Sequence, residues 1–97
     1  MIEEVVATDE EEAFRSMSTY HNPTEGSVCV ELNGFAGEEI QLELTNPQGQ
    51  RLYTGNFESL PASNWKTEID LSQLPQGMYF VRMTSENKVW VNEVVKL

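Results

Sequence analysis

Apolar and polar residues alternate with a period of two along most of this chain, and that period predicts strands. Val28, Val30 and Leu32 alternate with Cys29, Glu31 and Asn33, as in a strand with one buried face. Ile40, Leu42 and Leu44 alternate with Gln41, Glu43 and Thr45, and Trp65, Thr67, Ile69 and Leu71 with Lys66, Glu68 and Asp70. Tyr79, Val81 and Met83 share one face, with Phe80 and Arg82 opposite. Further strands are predicted over Arg51–Phe57 and Lys88–Lys96, with a seventh near Arg15–Tyr20. Turn residues separate them: Asn22-Pro23-Thr24-Glu25-Gly26, Asn33-Gly34 with Ala36-Gly37, Asn46-Pro47-Gln48-Gly49, Pro61-Ala62-Ser63-Asn64, Leu74-Pro75-Gln76-Gly77 and Glu86-Asn87. In the third of these Pro47 presets φ and Gly49 accepts a positive φ, so it predicts a hairpin. No stretch repeats with a helical period. About seven short strands at spacings of about 8–12 residues predict an all-β fold, an immunoglobulin-like antiparallel β-sandwich.

Length and charge divide the chain. Its 97 residues make one domain. Sixteen acids oppose six bases, for a net charge of −10. Half of that excess lies in residues 1–15, where Glu3, Glu4, Asp9, Glu10, Glu11 and Glu12 face Arg15 alone. The expectation is an acidic linker over 1–19, with any pairing near Ile2–Ala7 transient, ahead of a folded domain over 20–97. The run Asp9–Glu12 lacks the alternating ligand and glycine spacing of a calcium loop, which favours a solvated linker. A charge of −10 repels phosphates, so neither nucleic acid nor an anionic membrane surface is an expected partner. No apolar run approaches the ~20 residues of a membrane span, and direct membrane insertion is not expected. The start Met1-Ile2-Glu3-Glu4 has no basic or apolar leader. That predicts either a cytosolic protein or a piece of a longer exported one.

Candidate chemistry is sparse. The single histidine, His21, sits in a turn, and the single cysteine, Cys29, takes the outward parity of its strand. Neither has a base, nucleophile or second ligand at a useful spacing, so no enzyme, metal or cofactor is expected. Glu68 and Asp70 share a strand face, where solvation or pairing with Lys66 or Arg82 is expected. Tyr79 follows a Pro-Gly loop at a strand start, the position of a tyrosine corner whose hydroxyl returns to upstream backbone. Trp65 takes the parity of Ile69 and Leu71 and should be core. Trp90 opposes Val89 and Val91 and should face outward, which leaves an adhesion or carbohydrate-binding module as the alternative function.

Several motifs together carry a resemblance. Tyr20-His21-Asn22-Pro23-Thr24-Glu25-Gly26 is similar to Tyr-Pro-Asn-Pro-x-x-Gly, with His21 replacing a proline. It is followed by the alternating Val28-Cys29-Val30-Glu31-Leu32. Leu44-Thr45-Asn46-Pro47-Gln48-Gly49-Gln50-Arg51-Leu52 resembles a mid-domain hairpin. Leu71-Ser72-Gln73-Leu74-Pro75-Gln76-Gly77-Met78-Tyr79-Phe80-Val81-Arg82 matches Leu-Ser-x-Leu-Pro-x-Gly-x-Tyr-x-x-Arg, and the last strand runs from Lys88 to Val94-Val95-Lys96-Leu97. Together these resemble the C-terminal sorting domain, type A, of the type IX secretion system of Bacteroidetes.

The resemblance implies a secretion signal at the end of an exported cargo. Its partners would be the outer-membrane translocon and a sortase-like cysteine protease that removes the domain upstream of the motifs, within residues 1–19. The cargo would cross the periplasm and be attached to the cell surface or secreted. The residues expected to be read are Leu74, Pro75, Gly77, Tyr79, Arg82, Lys88, Val94, Val95, Lys96 and Leu97, with Asn22, Pro23 and Gly26 forming the turn motif. Arg82, Lys88 and Lys96 stand out because a stable sandwich does not need them. A sheet edge also offers strand addition, so a homodimer through an edge strand, the terminal one above all, is expected.

Overall fold

The computed structural model describes residues 15–97, and the expectations for residues 1–14 lie outside the described residues. Seven strands form: β1 Ser16–Tyr20, β2 Ser27–Asn33, β3 Ile40–Thr45, β4 Arg51–Phe57, β5 Asn64–Asp70, β6 Gly77–Ser85 and β7 Lys88–Lys96. They pair antiparallel in two sheets, ordered β1-β2-β5 and β4-β3-β6-β7. The strand expected near Arg15–Tyr20 is β1, so the first sheet reaches upstream of residue 20. β4 lies beside β3, whereas a constant-type immunoglobulin domain puts its fourth strand beside the fifth.

The alternation read from the sequence sets the inner faces. Val28, Val30 and Leu32 of β2 and Ile69 of β5 meet Ile40, Leu42 and Leu44 of β3, and Tyr79, Val81 and Met83 of β6, in one core. Three further plugs come from loops: Phe35, Leu60 and Leu71 are all buried. Phe35 is held by the loop around it, where Gly37 N–H donates to Leu60 O and Leu60 N–H to Glu38 O. Arg15 closes this end, donating to Glu38 at 2.7 Å and lying 5.4 Å from the Phe35 ring centre.

Turn chemistry sets the registers. Asn46 Oδ1 accepts from the amides of Gln48 and Gln50, and Gly49 takes φ 86°, which closes the β3–β4 hairpin. Glu86 and Asn87 both take positive φ, 51° and 69°, the geometry of a two-residue type I′ hairpin between β6 and β7.

Trp65 packs against the core, edge-on to Phe57 at 4.8 Å. Trp90 departs from its expected outward position. It packs against the same core, edge-on to Phe35 at 4.9 Å, while Val89 and Val91 point to solvent. The large indole fills the space over Phe35 that a valine would leave void, so the parity of β7 is set by its largest side chain. Cys29 lies on the outer face as expected, beside Tyr20. A hydrogen bond with Cys29, then desolvation and Glu31, raise the Tyr20 pKa. Asp70 pairs with neither Lys66 nor Arg82. Its carboxylate accepts the Ser72 amide at 2.8 Å, and Arg82 belongs to the opposite sheet.

Candidate recognition surface

Three sequence motifs that are far apart in the chain meet at one end of the sandwich. The turn 22–26 lies along the outer edge of β7. Asn22 Nδ2 donates to Glu93 O at 2.8 Å, and Asn22 Oδ1 accepts from Val95 N–H at 2.9 Å. Thr24 continues the contact as a parallel bridge to Lys96. Its N–H donates to Val95 O, and its carbonyl accepts from Leu97 N–H. Asparagine suits this place because its amide supplies a donor and an acceptor in one plane, as a strand residue does. The Thr24 hydroxyl is turned back into its own turn, donating to Ser27 O at 2.6 Å. Gly26 O accepts from Leu71 N–H, which ties the turn to the segment before β6.

That segment is fixed in turn by β6 and β7. Tyr79 is buried, and its hydroxyl donates to Pro75 O at 2.5 Å, the expected tyrosine corner. Gly77 takes φ 152°, a conformation that other residues rarely adopt. Lys96 is only 8% exposed, and its ammonium donates to Leu74 O at 3.2 Å. A sandwich was expected to have no use for Lys96. Here it ties β7 to the Leu74-Pro75 loop, and its charge is held by a carbonyl. Val94 is fully buried as well. Tyr79, Val94 and Lys96 therefore shape the surface from beneath. Pro75, Arg82, Val95 and Leu97 are exposed, Leu74, Gly77 and Lys88 are half-buried, and Asn22 and Pro23 are exposed beside β7.

Large apolar side chains remain outside along β6 and β7, from this end to the far hairpin. Among the described residues the exposed large hydrophobic ones are Met78, Val89, Val91, Val95 and Leu97. Met78 and Val95 are cross-strand partners, as are Arg82 and Val91, so the outward faces of β6 and β7 form a largely apolar strip that Arg82 and the exposed Glu93 interrupt. A groove of about 470 Å³ flanks it, lined by Asn46, Pro47, Leu52, Leu74, Pro75 and Tyr79 among others and free of charged side chains.

A family model for the secretion system C-terminal sorting domain matches residues 18–97. The chain belongs to that family. The sorting domain is a C-terminal secretion signal of the type IX system. It interacts with that system and directs export to the cell surface or into the medium. No curated protein matches the chain. With Trp90 turned inward, the sorting domain also lacks the exposed tryptophan on which a sugar-binding reading depended.

Sequence reasoning singled out the motif residues but not how they are joined. The side-chain mimicry by Asn22 has no periodic signal, and Lys96, although it takes the inward parity of Val94, is hidden by its charge. The strip was partly legible, since Val89, Val91, Val95 and Leu97 share one parity. The assignment of Trp90 to that parity's opposite, outward side reversed its meaning.

Proposed function

We propose that the type IX machinery reads the sorting domain through the outward strip of β6 and β7, and that the stitched motifs hold this strip in shape. The supporting observation is that Met78, Val89, Val91, Val95 and Leu97 stay exposed on one face. Clustered apolar exposure is a feature of interaction sites more than of monomer surfaces. In this reading the domain crosses the periplasm folded, the state in which Asn22, Thr24 and Lys96 hold the surface together. A sortase-like cysteine protease then cuts ahead of β1, since paired strands cannot enter a protease cleft, and the cargo is attached at the surface. The domain works by being bound and carries out no reaction itself.

The test is a reporter bearing a signal peptide, fused ahead of the whole chain and produced in a type IX-competent cell. The expected result is reporter at the surface or in the medium, with the sorting domain removed upstream of Ser16. Folded fusion retained in the periplasm would contradict the reading, and cleavage inside β1 would contradict the assigned cut.

A further inference from the structure

A partner that covers the outward strip of β6 and β7 covers two charges with it. Arg82 faces Val91 across the strands, and Glu93 faces Phe80. Both pairs lie between Thr84–Val89 toward the hairpin and Met78–Val95 at the opposite end. Excluding water from Val89 and Val95 together therefore encloses Arg82 and Glu93. A charge shut away from water without a counter-charge costs more than burying a neighbouring valine stabilises.

The folded chain does not supply these counter-charges. On its β3 side Arg82 faces Glu43, but Glu43 is held by Arg51 at 3.3 Å. Arg82 has no hydrogen-bond or ion-pair partner among the described residues. Glu93 is engaged through its backbone carbonyl, which accepts from Asn22, and its cross-strand neighbour Phe80 is uncharged. Arg82 and Glu93 stand diagonally, with Cα atoms about 7–8 Å apart, within reach of long side chains, yet they form no ion pair. We infer that the docking partner is a protein face that sets a carboxylate against Arg82 and a cation against Glu93, within an apolar surround. The inference rests on the reading of the strip as the docking face and names the chemistry of what docks there.

Beside Arg82 the outer sheet face holds a polar trough of about 430 Å³, lined by Gln41, Glu43, Thr45, Arg51 and Thr84 among others. Two arginines against one glutamate leave the trough with one spare positive charge, which suits a single carboxylate. A phosphate-bearing lipid surface fits less well, because it would repel Glu93 and meet a chain of net charge −10. Residues 1–14 contain acids but no lysine or arginine, so that segment has no side-chain cation to set against Glu93. Two opposite charges also fix which way round the partner sits, which valines alone do not.

The experiment uses the reporter fused to the full chain in a type IX-competent cell, with thermal melts of the isolated chains. Arg82→Glu and Glu93→Lys each reverse one charge at an exposed position. Each should keep the parent's thermal midpoint and lower surface reporter roughly tenfold or more, because a like charge then faces the partner. The double variant Arg82→Glu, Glu93→Lys restores opposite charges on the chain and keeps its net charge of −10. It should be exported no better than the worse of the two single variants. Arg82→Gln and Glu93→Gln should lose export in the same direction by less, and they stand in for any reversed chain whose melt falls. Parental export from a folded single variant overturns the inference. So does recovery in the double variant, since Arg82 and Glu93 would then be answering each other. Val91→Asp separates the two readings. If it is retained while Arg82→Glu reaches the surface, the strip stands and the charge pattern falls. Parental export of Val91→Asp removes the strip and this inference with it.

Discussion

Tyr79 shows how a residue can be required without being touched by a partner. Its ring fills the core, and its hydroxyl closes the loop at Pro75. Tyr79→Phe keeps the ring and leaves the Pro75 carbonyl without its donor, at a cost of about 1–2 kcal/mol. For a domain this size that is a fall of roughly 4–15 °C in thermal midpoint, and export should drop only as far as the folded fraction drops. A full loss of export with the melt unchanged would instead make Tyr79 a contact residue. Two carboxylates, the half-buried Glu31 and the exposed Asp70, contribute to the acid response of the fold. Glu31 accepts hydrogen bonds from Asn64 and Tyr20, and Asp70 from Ser72, and these bonds lower both pKa values. Because the folded-state values are depressed, the stabilisation is present above the unfolded values, near 4, and is lost as pH falls through the folded ones. Thermal melts should therefore fall as pH drops below about 4. The double variant Glu31→Gln, Asp70→Asn should start lower at neutral pH and fall less steeply.

At the scale of elements, strand positions were legible because a half-buried strand needs alternation. Val28-Val30-Leu32 and Ile40-Leu42-Leu44 are buried as that alternation requires. The turns were legible where one residue type had a backbone task, as Gly49 does with its positive φ. Four features were not. Phe35 and Leu60 plug the core from loops, where single apolar residues have no period to betray them. β7 is apolar on both faces near its start, so alternation alone could not say whether Trp90 or its valine neighbours faced inward; packing over Phe35 decides it. Lys96 takes the inward parity of Val94, but a lysine reads as a surface residue until the fold brings Leu74 O within its reach. The pairing of Asn22 with β7 depends on a side chain imitating backbone, and only the assembled ends bring the two together.

Across the whole molecule, the recognition surface is the sum of these placements. The turn 22–26, the loop 71–77 and β7 are separate in sequence and joined in space by bonds among Asn22, Thr24, Gly26, Leu71, Leu74 and Lys96. Their motifs specify a shape, and that shape leaves an apolar strip at the edge of an acidic molecule. A partner guided by charge alone would meet the acids first; one that excludes water from Val89, Val91 and Val95 gains most at this face. The most direct test is surface export of the reporter fused to the Val91→Asp chain, measured beside the melt of the isolated chain. Val91 is 53% exposed, so the variant should fold with a thermal midpoint close to that of the parent. The account predicts that its reporter stays in the periplasm while the parent's reaches the surface. Parental levels of surface reporter from a folded Val91→Asp chain would contradict it.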